Sequence, residues 1–457
     1  MKNDPRTINA RSAAFLALKQ VEKEDAYANI ALKKVLNQYK LPSQDSRLAA
    51  EITYGTTRMR LALDHIMAQF LRRPVRELMP ELKIILRLSL YQLHYLDIEP
   101  YAAVNEGVAL TKKYASPKLS GLANGVMRNY LRADKEKLLP RREDGFRDYL
   151  HITLSFPLWL VDHLLARYTP EEAEAFCLHA NAHRGIVIRT NTLKNSPEKL
   201  AQLMAEEGIT VERAGYAPGT LRFAGETGNL AAQHLFQEGC FTVQGLSSQL
   251  VAYALSPRKG DRVLDLCAAP GGKTTHLAEL MENEGDIRAF DVHPHKVALI
   301  EANAKRLGID MIKAETADSR ALPQDYHEWA DCVLLDAPCS GLGTLSARAD
   351  SRYRKEHRAI DQLAELSSEL LDAAAGYLRK GGKLCYSTCT ITDEENGANV
   401  RRFLKNHPEF SQVPLAGLME LMPEAKEQLA KGEIQLLPFS DEQEMDGFYI
   451  ALLEKKQ

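Results

Sequence analysis

The 457-residue chain predicts a multidomain protein: an all-α N-terminal domain, a small α+β linking subdomain, and an α/β domain with a doubly wound parallel sheet. Three observations carry this expectation. Residues 6–135 repeat apolar side chains at three- and four-residue spacing, interrupted by turn signals. From residue 263 onward, short apolar runs alternate with helical patterns. Between them, residues 261–273 read as a strand, a small-residue turn and a helix start. The expected spans are 1–138, 139–237 and 238–457.

In the first span, helices are expected over 11–21, 48–69, 82–96 and 102–114. Leu82, Ile85, Leu86, Leu90 and Leu93 form one apolar face. Leu41-Pro42, Arg73-Pro74, Glu99-Pro100 and Ser116-Pro117 punctuate the pattern. The net charge of −3 hides an asymmetry. Residues 1–140 hold 23 lysines and arginines against 14 acids, a net +9, leaving −12 for the remainder. A basic helical domain on an acidic body fits contact with nucleic acid, although a solvated helical surface reads equally well. Arg6, Arg11, Arg58, Arg60, Lys112, Lys113 and Arg128 are candidate phosphate contacts.

Residues 136–150 are charged and read as a linker. Pro170-Glu171-Glu172 opens a helix, with proline and acids in its first turn. Residues 186–191 read as a strand, 197–207 as a helix and 210–213 as a further strand. In the last span, strands are expected at 262–267, 286–292, 311–317, 331–336 and 382–388. Helices are expected at 273–281, 294–307, 361–379 and 394–406. Residues 434–437 and 448–453 suggest an antiparallel edge pair.

Bulk properties narrow the classes. At 45% hydrophobic and 26% charged residues the composition is that of a globular protein. No apolar run is long enough to span a bilayer, and the N-terminus carries no apolar signal core. Seven cysteines in no regular framework point to a reducing cytoplasm, and none has zinc-ligand spacing with histidine, so no metal is expected.

The turn Cys267-Ala268-Ala269-Pro270-Gly271-Gly272-Lys273 admits three readings. A phosphate-binding loop would need glycine where Cys267 stands, and the dinucleotide fingerprint is absent. Asp291 closes the next strand, where a carboxylate would grip ribose hydroxyls. A nucleoside without a triphosphate cradle suggests S-adenosylmethionine; an ordinary strand–turn–helix with a capping acid is the bland alternative.

Two cysteines arrive at the ends of two later strands. Asp336-Ala337-Pro338-Cys339-Ser340-Gly341 follows one, and Thr388-Cys389-Thr390 ends the other. Thr392 and Glu395 have capping-box spacing, which places a helix N-terminus just beyond Cys389, where it would favour a thiolate. A lone cysteine is usually a small buried hydrophobe, the class to which Cys177, Cys240, Cys332 and Cys385 belong. Cys339 and Cys389 lie in small-residue or polar turns near Asp336. A thiolate adding to carbon 6 of cytosine makes carbon 5 nucleophilic, and a base must later remove the proton there.

At these residues the sequence resembles the RNA 5-methylcytosine methyltransferases, through 265–273, 336–341 and 387–390. The leading region, with Tyr54-Gly55, Tyr91-Gln92-Leu93, Ala103-Val104-Asn105-Glu106 and Asn124 to Arg128, resembles the NusB-type RNA-binding domain. Joined, they resemble bacterial enzymes that act on 16S rRNA. The resemblance implies a Rossmann-like class I methyltransferase domain. It implies S-adenosylmethionine bound by Cys267, Ala268, Ala269, Pro270, Gly271, Gly272 and Lys273, with Asp291 on the ribose and Asp318 by the adenine. Asp336 would contact the cytosine or the donor's amino-acid end. Cys389 would be the nucleophile and Cys339 would assist release; spacing alone leaves this open, since DNA cytosine methyltransferases attack from the Pro-Cys motif. The implied partner is 16S rRNA, naked or in an early small-subunit particle. A tRNA or other RNA substrate, or a non-enzymatic RNA-binding role, are the alternatives. Gly245 and Ser346-Ala347 depart from the family pattern.

Overall fold

A computed structural model describes residues 8–24, 26–182, 184–225, 227–439 and 445–457; Arg6 lies outside them. They fall into two compact units. One comprises the chain to Ala182 together with Leu345–Arg354; the other comprises the remainder.

The first unit is helical. Ala10–Lys23, Ala28–Gln38, Ser43–Arg58, Arg60–Ala68, Pro80–Tyr95, Pro100–Leu110 and Ser120–Arg132 lead to Leu158–Leu165 and Pro170–Asn181. Leu82, Ile85, Leu86 and Leu90 are at most 1% exposed, so the periodic face is the core face. The continuous helix expected over 48–69 breaks at Met59. There Ser155 accepts the Leu61 N–H at 2.9 Å and the Tyr353 hydroxyl lies 2.8 Å from the Arg58 carbonyl, giving backbone groups partners outside the helix ladder. Thr169 and Glu172 form a capping box on the helix at Pro170.

Residues Leu345–Arg354 are bound into this unit. Asp350 accepts the Ala28 N–H at 3.0 Å. Arg352 is 0% exposed, donates to Asn181 at 2.9 Å and lies over the Phe156 ring.

The second unit holds two sheets. The smaller is antiparallel, ordered 211–213, 220–223, 187–190, 241–243, with helix Pro197–Glu206 against it. The larger contains β1 (Arg262–Asp265), β2 (Asp286–Asp291), β3 (Ile312–Thr316), β4 (Ala330–Asp336), β5 (Leu378–Thr388), β6 (Phe410–Gln412), β7 (Glu433–Leu436) and β8 (Phe448–Lys455). Its order is β6-β8-β5-β4-β1-β2-β3, with β7 also paired to β8. Strands β1 to β5 run parallel; β8 runs antiparallel to β5. The expected pair near the C-terminus exists, but β8 is interior, because β5 flanks one side and β6 and β7 the other. Val263 and Leu264 bury into opposite clusters, as do Leu334 and Leu335, so both faces of the sheet are covered.

Among the described residues no helix is long and apolar enough to cross a membrane, and no group of three or more His, Cys, Asp or Glu could hold a metal.

Candidate active site

Parallel strands of this order place their carboxyl ends along one edge, and the candidate residues stand there. β1 ends at Asp265, and helix Gly272–Leu280 starts five residues beyond Cys267, the first turn residue. Backbone bonds shape the turn between them. Ala268 N–H donates to the Phe290 carbonyl at 2.9 Å, Gly271 N–H to Ala268 at 2.7 Å, and Asn303 holds the Pro270 carbonyl at 2.9 Å. The Ala269–Pro270 peptide is cis. Gly271 has φ +94, and a Cβ there would stand 3.2 Å from Ile300; this is a position for glycine.

Asp265 is 1% exposed; one carboxylate oxygen accepts from Thr274 at 2.7 Å and the other has no partner among the described residues. Burial pushes its pKa up to about 7, against the Thr274 hydrogen bond. Cys267 is raised further by burial and three nearby carboxylates, which leaves it an inert thiol.

Asp291 closes β2, accepting the His293 N–H at 2.9 Å with Lys296 at 3.7 Å. Asp318 lies two residues past the end of β3. Arg320 binds its carboxylate through guanidinium and backbone, at 2.7 and 3.0 Å; the guanidinium first, and then the backbone N–H, hold its pKa down. Ala317 N–H reaches the Asp291 carbonyl at 3.3 Å, so these strand ends are adjacent. Carboxylates dominate this edge, and its turn lysine is already paired. That donor set fits a nucleoside with a cationic tail better than a polyphosphate.

Beside it stand the cysteines. Asp336 ends β4 and accepts from Lys273 Nζ at 2.7 Å and Ser387 Oγ at 2.8 Å. Burial works against the Lys273 charge, but Asp336 outweighs it and raises the ammonium pKa. Cys339 Sγ lies 3.4 Å from Cys389 Sγ. That contact, and then burial, push the Cys339 thiol well up, so it holds its proton beside its neighbour. The structure thus brings together Lys273, Asp336, Cys339 and Cys389. The helix expected just beyond Cys389 begins only at Gly397, and Asn396 makes no side-chain cap, so the capping-box reading is corrected. Thr392 and Glu395 do bond, at 2.6 Å, but within a buried turn.

Sequence reasoning missed several members. Arg189, 2% exposed on the small sheet, donates to Glu279 at 2.8 and 3.0 Å and to the Gly272 carbonyl at 2.8 Å. It therefore fixes the helix beneath the turn. Its partner is 90 positions away, and no local signal could reveal the pair. Asp265 stood inside the quoted motif and was legible; Ser387 and Glu395 were legible only as spacing. Of the proposed phosphate contacts, Arg58 is 8% exposed, Arg11 is bound to Gln92, Arg60 lies 5.5 Å from the Tyr353 ring centre, and Lys113 lies by Tyr114. Arg128 bonds Asn124 on the exposed surface.

Three family models match the chain. Residues 252–454 match one described as 16S rRNA methyltransferase RsmB/F, residues 8–132 the NusB family, and residues 156–228 a ferredoxin-like domain of RsmF/B-like methyltransferases. A Synechocystis sp. protein named probable ribosomal RNA small subunit methyltransferase B is 37% identical over 453 residues, covering 98% of this chain and 100% of that protein. A Bacillus subtilis protein of the same name is 37% identical over 456 residues, covering 99% and 100%. The crystal structure of NSun6 from Pyrococcus horikoshii with SFG aligns at TM-score 0.58 and 25% identity, covering 68% of this chain and 100% of that one.

Proposed function

The chain belongs to the RsmB/F family of 16S rRNA methyltransferases, and from that premise we propose how its own residues work. The reaction is transfer of a methyl group from S-adenosylmethionine to carbon 5 of a cytosine in 16S rRNA, through a covalent adduct with Cys389. One observation carries this reading: the two cysteines are 3.4 Å apart, beside the Lys273–Asp336 pair, at the carboxyl ends of β4 and β5.

The neighbour NSun6 is described with SFG, an S-adenosylmethionine analogue, which supports the same donor here. When bound, the donor supplies an electrophilic methyl. Residues Cys267 to Lys273 would line it, with Asp291 at the ribose, Asp318 by the adenine, and Asp336 between donor and base. The unpartnered oxygen of buried Asp265 adds an acceptor on this side.

The Cys389 thiolate attacks carbon 6, and a hydrogen bond to the ring from the Lys273–Asp336 pair offsets the charge that develops there. Carbon 5 then takes the methyl. Release requires that the carbon 5 proton leave to a base, the 5,6 double bond re-form and the Sγ–C6 bond break; Cys339 assists this step. Residues 1–138 would dock on rRNA phosphates, 139–237 would brace the donor turn through Arg189, and 238–457 would take an unpaired or flipped cytosine. The setting would be the cytoplasm, on naked rRNA or an early small-subunit particle.

The test is transfer of labelled methyl to unmodified 16S rRNA, with tRNA and 23S rRNA in parallel and the product base identified. The expected result is 5-methylcytosine in 16S rRNA alone, abolished in Cys389→Ala, which still binds S-adenosylmethionine. Label in tRNA instead would discard the rRNA assignment, and full activity of Cys389→Ala would discard the nucleophile.

A further inference from the structure

We propose that Glu395 is a positioning residue of this reaction: its buried carboxylate locks the turn carrying Cys339 onto the turn carrying Cys389. The proposal rests on the reading that Cys389 attacks and Cys339 assists release.

Glu395 is 0% exposed and belongs to neither strand nor helix. It lies in the stretch between Cys389 and helix Gly397–Asn406. Among the described residues no lysine or arginine pairs with it, and hydrogen-bond donors surround it instead. Ser340 gives both its backbone N–H, at 2.5 Å, and its hydroxyl, at 2.6 Å. Thr392 donates at 2.6 Å and Thr390 at 3.3 Å. Two of these donors come from the residue after Cys339, and two from the segment after Cys389. A carboxylate has about four acceptor positions, and donors from both turns meet on this one: the Ser340 N–H at Oε1, and the Ser340, Thr390 and Thr392 hydroxyls at Oε2.

The two turns differ in what else holds them. The Cys389 turn keeps several ties without the Glu395 side chain. Tyr386 donates to the Glu395 main-chain carbonyl at 2.5 Å, Asn396 holds the Thr390 carbonyl at 3.2 Å, and Thr388 bonds Asn396. On the Cys339 turn, Lys355 holds the carbonyls of Cys339 and Ser340, and Ser367 that of Pro338. Those are carbonyl contacts; across to the Cys389 segment, the Ser340 and Thr390 hydroxyls also meet at 2.6 Å and the Gly343 N–H donates to the Cys389 carbonyl at 3.0 Å. The Ser340 N–H, buried in a residue 1% exposed, has Glu395 as its acceptor. Loss of the carboxylate therefore strands a buried donor on the Cys339 side and leaves the Cys389 side tied. Attack should survive and release should fail.

The experiment uses the full chain with unmodified 16S rRNA transcript and S-adenosylmethionine. Protein–RNA adduct on denaturing gels and 5-methylcytosine turnover are followed for wild type, Glu395→Ala, Glu395→Gln, Ser340→Ala, Cys339→Ala and Cys389→Ala. A misplacement of about 1 Å costs about a hundredfold in rate. The expected result is a turnover loss of that order in Glu395→Ala with adduct accumulating as in Cys339→Ala. Glu395→Gln, which keeps an acceptor for the Ser340 N–H, should recover about tenfold of it.

Wild-type turnover in Glu395→Ala, or joint loss of adduct and turnover while S-adenosylmethionine still binds, would overturn the proposal. If Glu395→Ala loses donor binding through misfolding, Glu395→Gln and Ser340→Ala decide. Slowed release with adduct in either supports the lock, and wild-type behaviour in both rejects it. The cysteine assignment fails separately: Cys389→Ala would methylate and Cys339→Ala would form no adduct.

Discussion

The turn at 267–272 and the paired turns around Cys339 and Cys389 lie on one sheet edge yet are held by different means. The first is backbone-built: main-chain hydrogen bonds, small residues and a left-handed glycine against Ile300. The second adds a side-chain network to two main-chain ties, Ala337 N–H to the Ser387 carbonyl and Gly343 N–H to the Cys389 carbonyl: Ser340, Thr390, Thr392 and Glu395, with Ser387 and Lys273 on Asp336. The first turn should therefore suffer from added atoms, and the cysteine turns from missing ones. Beneath the first lies one exception, the buried Arg189–Glu279 pair, a side-chain brace under a backbone loop.

That brace offers the largest expected effect. Glu279→Ala leaves Arg189 buried without its carboxylate and should cost about 3–5 kcal/mol in denaturant unfolding. Replacing both residues with apolar ones of similar volume should restore most of it. If the single and double variants lose equally, the helix is held by packing and not by the pair.

Asp265 probes the same turn by pH. Its folded-state pKa is raised to about 7, from about 4 in an unfolded chain, so the folded state binds this proton more tightly. The contribution of Asp265 to stability is then fully present below about pH 4, falls as pH rises to about 7, and levels off, a loss on the order of 4 kcal/mol. Asp265→Asn keeps an acceptor for Thr274 and should flatten that slope in melting curves recorded without donor. An unchanged slope would place the titration elsewhere.

On the cysteine side, Lys273→Met leaves Asp336 with Ser387 as its remaining bond. Loss of a charged hydrogen bond costs about 2 kcal/mol, or roughly thirtyfold in single-turnover methyl transfer. Donor affinity measured by calorimetry should change far less than the rate. The smallest effect is expected from Gly271→Ala, about 1–2 kcal/mol, from left-handed backbone and contact with Ile300. It should appear as weaker donor binding with adduct chemistry intact. A rate loss at saturating donor would erase the contrast between the turns.

Legibility followed the same division. The α/β alternation could be read because buried parallel strands are short apolar runs, and β1 to β4 fall where those runs lie. β5 starts four residues earlier than expected, because Gly381 and Gly382 read as a break yet sit inside the strand. In the helical unit, Ala28–Gln38 passed unread: alanine and asparagine weaken its pattern, though Ala28, Ala31, Leu32 and Val35 are buried. Ser120–Arg132 was hidden by Gly121 and Gly125, which face open space. At the site, contiguous motifs supplied Cys267 to Lys273, Asp336, Cys339 and Cys389. Glu395 was misread, because capping-box spacing looks the same whether the acid caps a helix or crosses to another turn. Arg189 with Glu279 was beyond any local pattern.

The excursion at Leu345–Arg354 bears on how such chains can be shuffled. Its anchoring partners lie far upstream: Ala28 for Asp350, Asn181 and Phe156 for Arg352, Ser155 and Arg58 for Tyr353, Ala26 for Arg354. A gene fusion or deletion that treats residues 1–182 as a detachable block would orphan two arginines, a tyrosine and an aspartate in mid-chain. The helical block is thus not a freely exchangeable cassette: a functional swap must carry these ten residues with it, and compatible pairs must change together.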